Sequence, residues 1–264
     1  MENNKRGENM VAILEVNNLK KEYVNEGGNS QRILNDVNLK IYEGEFISVM
    51  GASGSGKSTL LYNISGMDKA TSGEIFFNNK SINKLSEKEL SDIRLNEMGF
   101  VFQQSHLLKN LCILDNILLP AFQSKKQSRE EYVKKAEELM DQVGIGSLGQ
   151  NDIYQASGGQ LQRVSICRAL INSPHIIFGD EPTGALNSKS TNEIMEILRE
   201  INNKGTTVML VTHDIKVAAK TDRVLFMTDG EIVDELTLGK FNKNTESMEK
   251  REATLNGWLN NLGF

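Results

Sequence analysis

Gly51-Ala52-Ser53-Gly54-Ser55-Gly56-Lys57-Ser58-Thr59 is the stretch whose reading decides the fold. It has the form G-x-x-x-x-G-K-S, a phosphate loop, and its flanks have the character such a loop requires. Phe46-Ile47-Ser48-Val49-Met50 before it reads as a short buried strand, and Leu60-Leu61-Tyr62-Asn63-Ile64 after it continues as a helix. Glycine lets the backbone turn tightly and aim successive N–H groups at phosphate oxygens, at the positive end of the helix. Lys57 is placed to reach the β- and γ-phosphates of a nucleoside triphosphate, and the Ser58 hydroxyl to ligate Mg²⁺.

Outward from the loop, the pattern is that of an α/β protein. Strand-like pieces precede it at Ile13–Val16 and Ile33–Ile41, separated by the turn Glu26-Gly27-Gly28-Asn29-Ser30. Gly73–Phe77 and Met98–Phe102 follow as strands on either side of a charged helix from about Glu87 to Asn96. The middle third is helical in pattern, notably Arg129–Val143 and Gln160–Asn172. His175–Gly179 and Thr206–Val211 are continuous apolar runs, as in parallel strands covered on both faces. Asp229-Gly230 makes a hairpin turn between Val224–Met227 and Glu231–Val233. The organisation is a nucleotide-binding core with a helical insertion near its middle.

A Mg²⁺-nucleotide also needs a carboxylate. Ile176-Ile177-Phe178-Gly179-Asp180-Glu181 supplies two at a strand end: Asp180 fits the role of holding the metal, and Glu181 that of orienting or deprotonating the attacking water. Ser157-Gly158-Gly159-Gln160 opens a helix and makes a second N-terminal nest suited to an anion. An ordinary capped helix after a glycine turn has the same pattern. A single nucleotide has little use for both termini within one subunit, whereas two subunits head to tail could sandwich ATP between them.

Taken together, Gly51–Thr59, Ser157–Gln160, Asp180-Glu181 and Thr212-His213-Asp214 resemble an ATP-binding cassette (ABC) ATPase over roughly Ile13 to Val233. The resemblance implies an α/β P-loop NTPase with a RecA-like core, an antiparallel β subdomain and a helical signature-motif subdomain. The implied layout is a flexible tail at 1–11, the ATPase domain at 12–235 with its helical subdomain at about 104–172, and an extension at 236–264. It further implies ATP and Mg²⁺ as ligands. Ser157-Gly158-Gly159-Gln160 then binds the γ-phosphate held by the other protomer, and His213 contacts that phosphate as a switch histidine. Ser58, Gln103 and Asp180 are then the metal ligands, Gln103 also senses the attacking water and links both to a membrane partner, and Tyr23 stacks on adenine, although packing at a strand edge would also explain Tyr23. Two positions depart from the family pattern: Ala156 stands where leucine is usual, and Asn187 where aspartate is usual.

Within the family, Leu85–Leu90, Gly99–Gln104, Asp115–Pro120 and Asp180–Leu186 resemble the branch of macrolide exporters, lipoprotein-release systems and bacitracin-type peptide resistance. The last group is most similar at Met50–Gly56 and Ala185–Ser190. The implied partners are a second copy in a head-to-tail homodimer and a permease with an extracytoplasmic domain, with a sensor kinase reached through that permease. The alternative is a non-transport ATP-gated clamp or signalling module on a soluble partner. A net charge of −5 and a pI near 5.4 speak against nucleic acid. Neither a membrane span nor a signal peptide is visible, and Cys112 and Cys167 lack ligand-like spacing. The protein is therefore expected in the cytoplasm, peripheral on the inner membrane face through its permease. After Leu238 the chain turns polar, then Leu255, Trp258, Leu259 and Leu262 recur at helical spacing, with Trp258 the expected anchor.

Overall fold

In the computed structural model, which describes residues 11–24, 27–241 and 246–264, the chain opens with two long strands, β1 (Ala12–Val24) and β2 (Ser30–Tyr42). The turn residue Glu26 and residues 1–10 of the N-terminal tail lie outside the described residues. There follow β3 (Phe46–Met50), α1 (Lys57–Ile64), β4 (Ser72–Phe77), β5 (Lys80–Ser81), α2 (Glu87–Glu97) and β6 (Met98–Phe102). A helical stretch comprises α3 (Ile113–Ser124), α4 (Arg129–Gln142) and α5 (Gly158–Leu170). The chain ends with β7 (Ile176–Asp180), α6 (Ser188–Asn203), β8 (Thr207–Val211), α7 (Ile215–Ala218), β9 (Arg223–Thr228), β10 (Glu231–Thr237) and α8 (Met248–Asn261).

These elements form two compact units, residues up to 86 with 213–264, and residues 87–212. The first holds an antiparallel sheet in the order β2-β1-β4-β5. β1 continues well past Val16 because a bulge absorbs the polar break at Asn17-Asn18. Asn18 adopts φ 49° there, and its N–H is taken by the Asn38 side chain at 2.9 Å. The same unit sets β9 parallel to β3 and β10 antiparallel to β9. All five residues of β3 are buried, as expected for a strand covered on both faces.

α8 also belongs to this unit. Leu255 and Leu259, four residues apart, are buried against Met50, Ala218, Val224 and Phe226, so the helix docks on the body of its own chain. Trp258 is only half-buried; its indole N–H donates to Asp234 at 2.9 Å and its ring meets Phe226 edge-on. The fully buried residues of the helix are Arg251, Leu255 and Leu259, and they rather than Trp258 are its anchor. A tryptophan keeps its N–H near a polar partner, which draws it to the edge of the contact.

In the second unit β6, β7 and β8 run parallel. α3, α4 and α5 enclose a separate core that includes Ile117, Tyr132, Ala136, Met140 and Val164. α4 starts at a capping box between Ser128 and Glu131. α6 buries Ile194, Leu198 and Ile201 along one face at helical spacing.

Candidate functional site

The loop between β3 and α1 is shaped by backbone pressing on backbone. Gly51, Gly54 and Gly56 take φ values of 153°, 84° and 99°. A Cβ on Gly51 would sit 2.0 Å from the Met227 carbonyl oxygen of β9, and one on Gly56 would sit 2.9 Å from the Ile33 carbonyl of β2. The Gly230 N–H donates to the Ser55 carbonyl at 3.1 Å, tying the β9–β10 turn to the loop. Lys57 is only 7% exposed, and its Nζ donates to the carbonyls of Gly51 (2.9 Å) and Ala52 (2.7 Å). Gly56 is the N-cap of α1 and offers no side chain to the helix terminus, and no acidic residue lies in the first turn. An uncapped helix N-terminus beside a buried ammonium fits a phosphate group.

Tyr23 stands at the same corner. Its hydroxyl donates to Asp68 Oδ2 at 2.7 Å, with the Thr59 hydroxyl of α1 as a further hydrogen-bond partner. The bond to Asp68 and partial burial push the phenol up to about 12. Lys21 Nζ lies 4.5 Å from the ring centroid and donates to Asp68 Oδ1 at 2.8 Å. Burial would raise the Asp68 carboxyl, but the hydrogen bonds from Lys21 and Tyr23 outweigh it and hold the carboxyl below its usual value. The ring is thus held by its hydroxyl and by the Lys21 ammonium over one face, while 43% of the residue remains exposed.

In the second unit Asp180 is the last residue of β7, and Glu181 leaves the strand at φ 47°, a left-handed conformation that costs a non-glycine residue roughly 1–2 kcal/mol. The Glu181 N–H donates to the Val211 carbonyl of β8, and its carbonyl accepts from Gly184, both at 3.0 Å. A Cβ on Gly184 would lie 3.0 Å from Gln103 Nε2 and 3.2 Å from Glu181 Oε2. The Gln103 amide and the Glu181 carboxylate therefore converge over Gly184. α5 holds the segment around Gln103 in place. Gln162 Nε2 donates to the Phe102 carbonyl (2.9 Å), and Arg168 donates to the carbonyls of Ser105 (2.6 Å) and His106 (3.0 Å). Gln162 and Arg168, like Asp68, escaped sequence reasoning because each partner lies more than 40 residues away, where no local pattern reports it.

α5 itself opens at a complete capping box. Ser157 Oγ accepts from the Gln160 N–H at 3.4 Å, and Gln160 Oε1 accepts from the Ser157 N–H at 2.8 Å. Ser157 and Gly158 are exposed, and the first turn lies against Leu186 and Ser190. Ala156 is half-buried against the helical core. Asn187 caps α6 through Oδ1, which accepts from the Ser190 N–H at 2.9 Å. His213 follows β8, is exposed, and precedes Asp214, whose carboxylate caps α7 through the Lys216 N–H at 2.8 Å.

The first unit thus carries Tyr23, Gly51–Thr59 and His213, and the second carries Gln103, Ser157–Gln160, Asp180 and Glu181. Among the described residues no three His, Cys, Asp or Glu side chains cluster as a metal site. Ser58 in the first unit, and Gln103 and Asp180 in the second, each offer an oxygen donor of the kind that Mg²⁺ takes beside nucleotide phosphates.

The sequence profile described as ABC transporter matches residues 34–184. The macrolide export ATP-binding/permease protein MacB of Pasteurella multocida is 42% identical over 221 residues, 84% of this chain but 34% of that protein. This chain spans about a third of the length of such relatives. The lipoprotein-releasing system ATP-binding protein LolD of Aquifex aeolicus is 41% identical over 228 residues, 86% of this chain and 99% of that protein. A dimeric post-hydrolysis state of the ATP-binding cassette MJ0796, bound to ADP and Pi, superposes with TM-score 0.80 at 43% identity, covering 86% of this chain and all of that one.

Proposed function

The chain belongs to the ABC transporter family, as an ATPase cassette, and from that premise we propose that two copies clasp ATP head to tail and drive a membrane permease. The observation that carries the reading is the uncapped N-terminus of α1 beside the buried Lys57, a binding site for the nucleotide's phosphates. Adenine stacks on Tyr23, whose ring is steadied by Asp68 and Lys21. Ser58, Asp180 and Gln103 would hold Mg²⁺, which would supply neutralisation of the phosphate charge. Glu181 takes the proton of the attacking water and Gln103 orients that water, a division of labour supported by their convergence over Gly184. Lys57 and His213 stabilise the charge that develops on the γ-phosphate, together with the Ser157–Gln160 terminus of the opposing copy.

The similarity to MacB and LolD supports a permease partner and a role in macrolide-type or lipoprotein-type efflux. Within that branch we favour export of, or resistance to, antimicrobial peptides, with a sensor kinase signalled through the permease. That role places the chain on the inner face of the cell membrane, attached through its partner. Among the described residues no helix is long and apolar enough to cross a membrane. The test is affinity purification from detergent-solubilised native membranes with mass spectrometry of the co-eluting proteins. Recovery of a permease with a large extracytoplasmic domain is expected. Recovery of soluble partners alone, with the protein absent from membranes, would replace the transporter reading by the soluble-clamp reading.

A further inference from the structure

Arg251 lies on the buried face of α8 with none of its side chain exposed. Its guanidinium has five N–H groups, and the surroundings supply five acceptors. Nε donates to Ala219 O (2.8 Å), Nη2 to Thr221 O (2.7 Å) and Gly239 O (3.0 Å), and Nη1 to Leu238 O (3.2 Å) and Glu246 Oε2 (2.9 Å). Four of these are backbone carbonyls, so the residue does more than pair one charge. It closes the end of α7, the turn into β9 and the exit of β10 around a single planar group.

The turn it holds joins two parts of the site. Toward the N-terminus, Ala219 follows α7, whose first residue Ile215 comes two positions after His213. Toward the C-terminus, the turn becomes β9, whose Met227 carbonyl bears on Gly51. The turn is also bound to β3, the strand that leads into the phosphate loop. The hydroxyls of Thr221 and Ser48 lie 2.9 Å apart, and the Asp222 N–H donates to the Phe46 carbonyl at 2.6 Å. α8 is thereby tied to the root of the His213 segment, while β3 and β9 support each other through their parallel pairing.

We propose that Arg251 is a positioning residue of the ATPase reaction, through which the docked C-terminal helix holds the 219–221 turn and with it His213. The inference rests on the reading of His213 as the γ-phosphate contact. It assigns to α8 control of turnover rather than of nucleotide affinity, because Tyr23 and Lys57 keep their own partners when the helix loosens.

A double-mutant cycle in the full-length protein tests it, with steady-state kcat and KM for ATP and the thermal midpoint measured for Arg251→Ala, Arg251→Lys, His213→Ala and the Arg251→Ala/His213→Ala pair. Arg251→Ala is expected to lower kcat by about ten-fold or more while KM stays within about three-fold. Lysine, with three donors for five acceptors, should recover less than half of the lost rate. In the His213→Ala background, Arg251→Ala should cost less than about three-fold further, since its effect passes through that histidine. If Arg251→Ala does not fold, Arg251→Lys carries the same cycle. A folded Arg251 variant with wild-type kcat overturns the inference, as does a pair whose losses multiply, or a KM that rises in step with the fall in kcat. A wild-type rate in His213→Ala overturns the reading of His213 and this inference with it, whereas a slow His213→Ala beside an unimpaired Arg251→Ala overturns the inference alone.

Discussion

Two helix N-termini in this chain follow glycine-bearing turns, yet they are finished in opposite ways. At α1 the N-cap is Gly56, no side chain caps the helix, and the surrounding backbone leaves no room for a Cβ at Gly51 or Gly56. At α5 the N-cap is Ser157, a capping box with Gln160 satisfies two of the free backbone donors, and a Cβ on Gly158 would meet only Leu186 Cδ2 at an ordinary 3.6 Å. The first terminus has no side-chain cap and lies inside its own unit beside the buried Lys57. The second is already stable without one and presents its first residues to the outside. Similar glycine turns are thus finished once as an uncapped terminus enclosed by backbone and once as a capped, exposed one, the surface on which the proposed second copy would dock.

The contrast can be broken most severely at Gly51. Gly51→Ala should abolish nucleotide binding by calorimetry and cost on the order of 4 kcal/mol or more of stability, because the new methyl runs into the Met227 carbonyl. Retained binding would mean that β9 yields where its packing says it cannot. Glu181→Gln should lower the ATPase rate by about 10²–10⁴-fold while ATP binding persists. It should also accumulate ATP-dependent dimers in size-exclusion chromatography, and an unchanged rate would refute the role of Glu181. Gly158→Ala sharpens the comparison from the other side. Its thermal stability should equal or exceed the wild type, by up to about 1 kcal/mol, since alanine favours a helix and nothing obstructs its methyl. Its ATPase rate should nevertheless fall by about ten-fold, because the loss would arise at the opposing copy's phosphate. Asn187→Ala is the mildest of the set. Removing the α6 cap should cost about 1 kcal/mol in denaturant unfolding.

Legibility followed the same division. The phosphate loop, the Asp180-Glu181 strand end and the Ser157–Gln160 turn were readable because each is contiguous, and its chemistry is carried by neighbours in the chain. β1 was read short because Asn17-Asn18 interrupts its alternation, and a bulge that depends on the side chain of Asn38 in another strand repairs it. The left-handed backbone of Glu181 has no sequence signature, since it arises where β7 leaves its pairing beside Val211. Trp258 drew attention as the largest apolar residue of the C-terminal segment, yet the buried position went to Arg251, whose acceptors come from Ala219, Thr221, Leu238, Gly239 and Glu246.

By itself the sequence determined the α/β class, the order of the phosphate-site motifs and the residue types able to do the chemistry. These rest on backbone periodicity and on short spacings, which covalent connection enforces wherever the chain goes. Only the tertiary structure decided that Asp68 and Lys21 steady Tyr23. Only it brought Gln103 and Glu181 together over Gly184, and buried a guanidinium in place of an indole. Each of those outcomes is a hydrogen bond or a close approach between residues distant in sequence, and packing alone selects such partners.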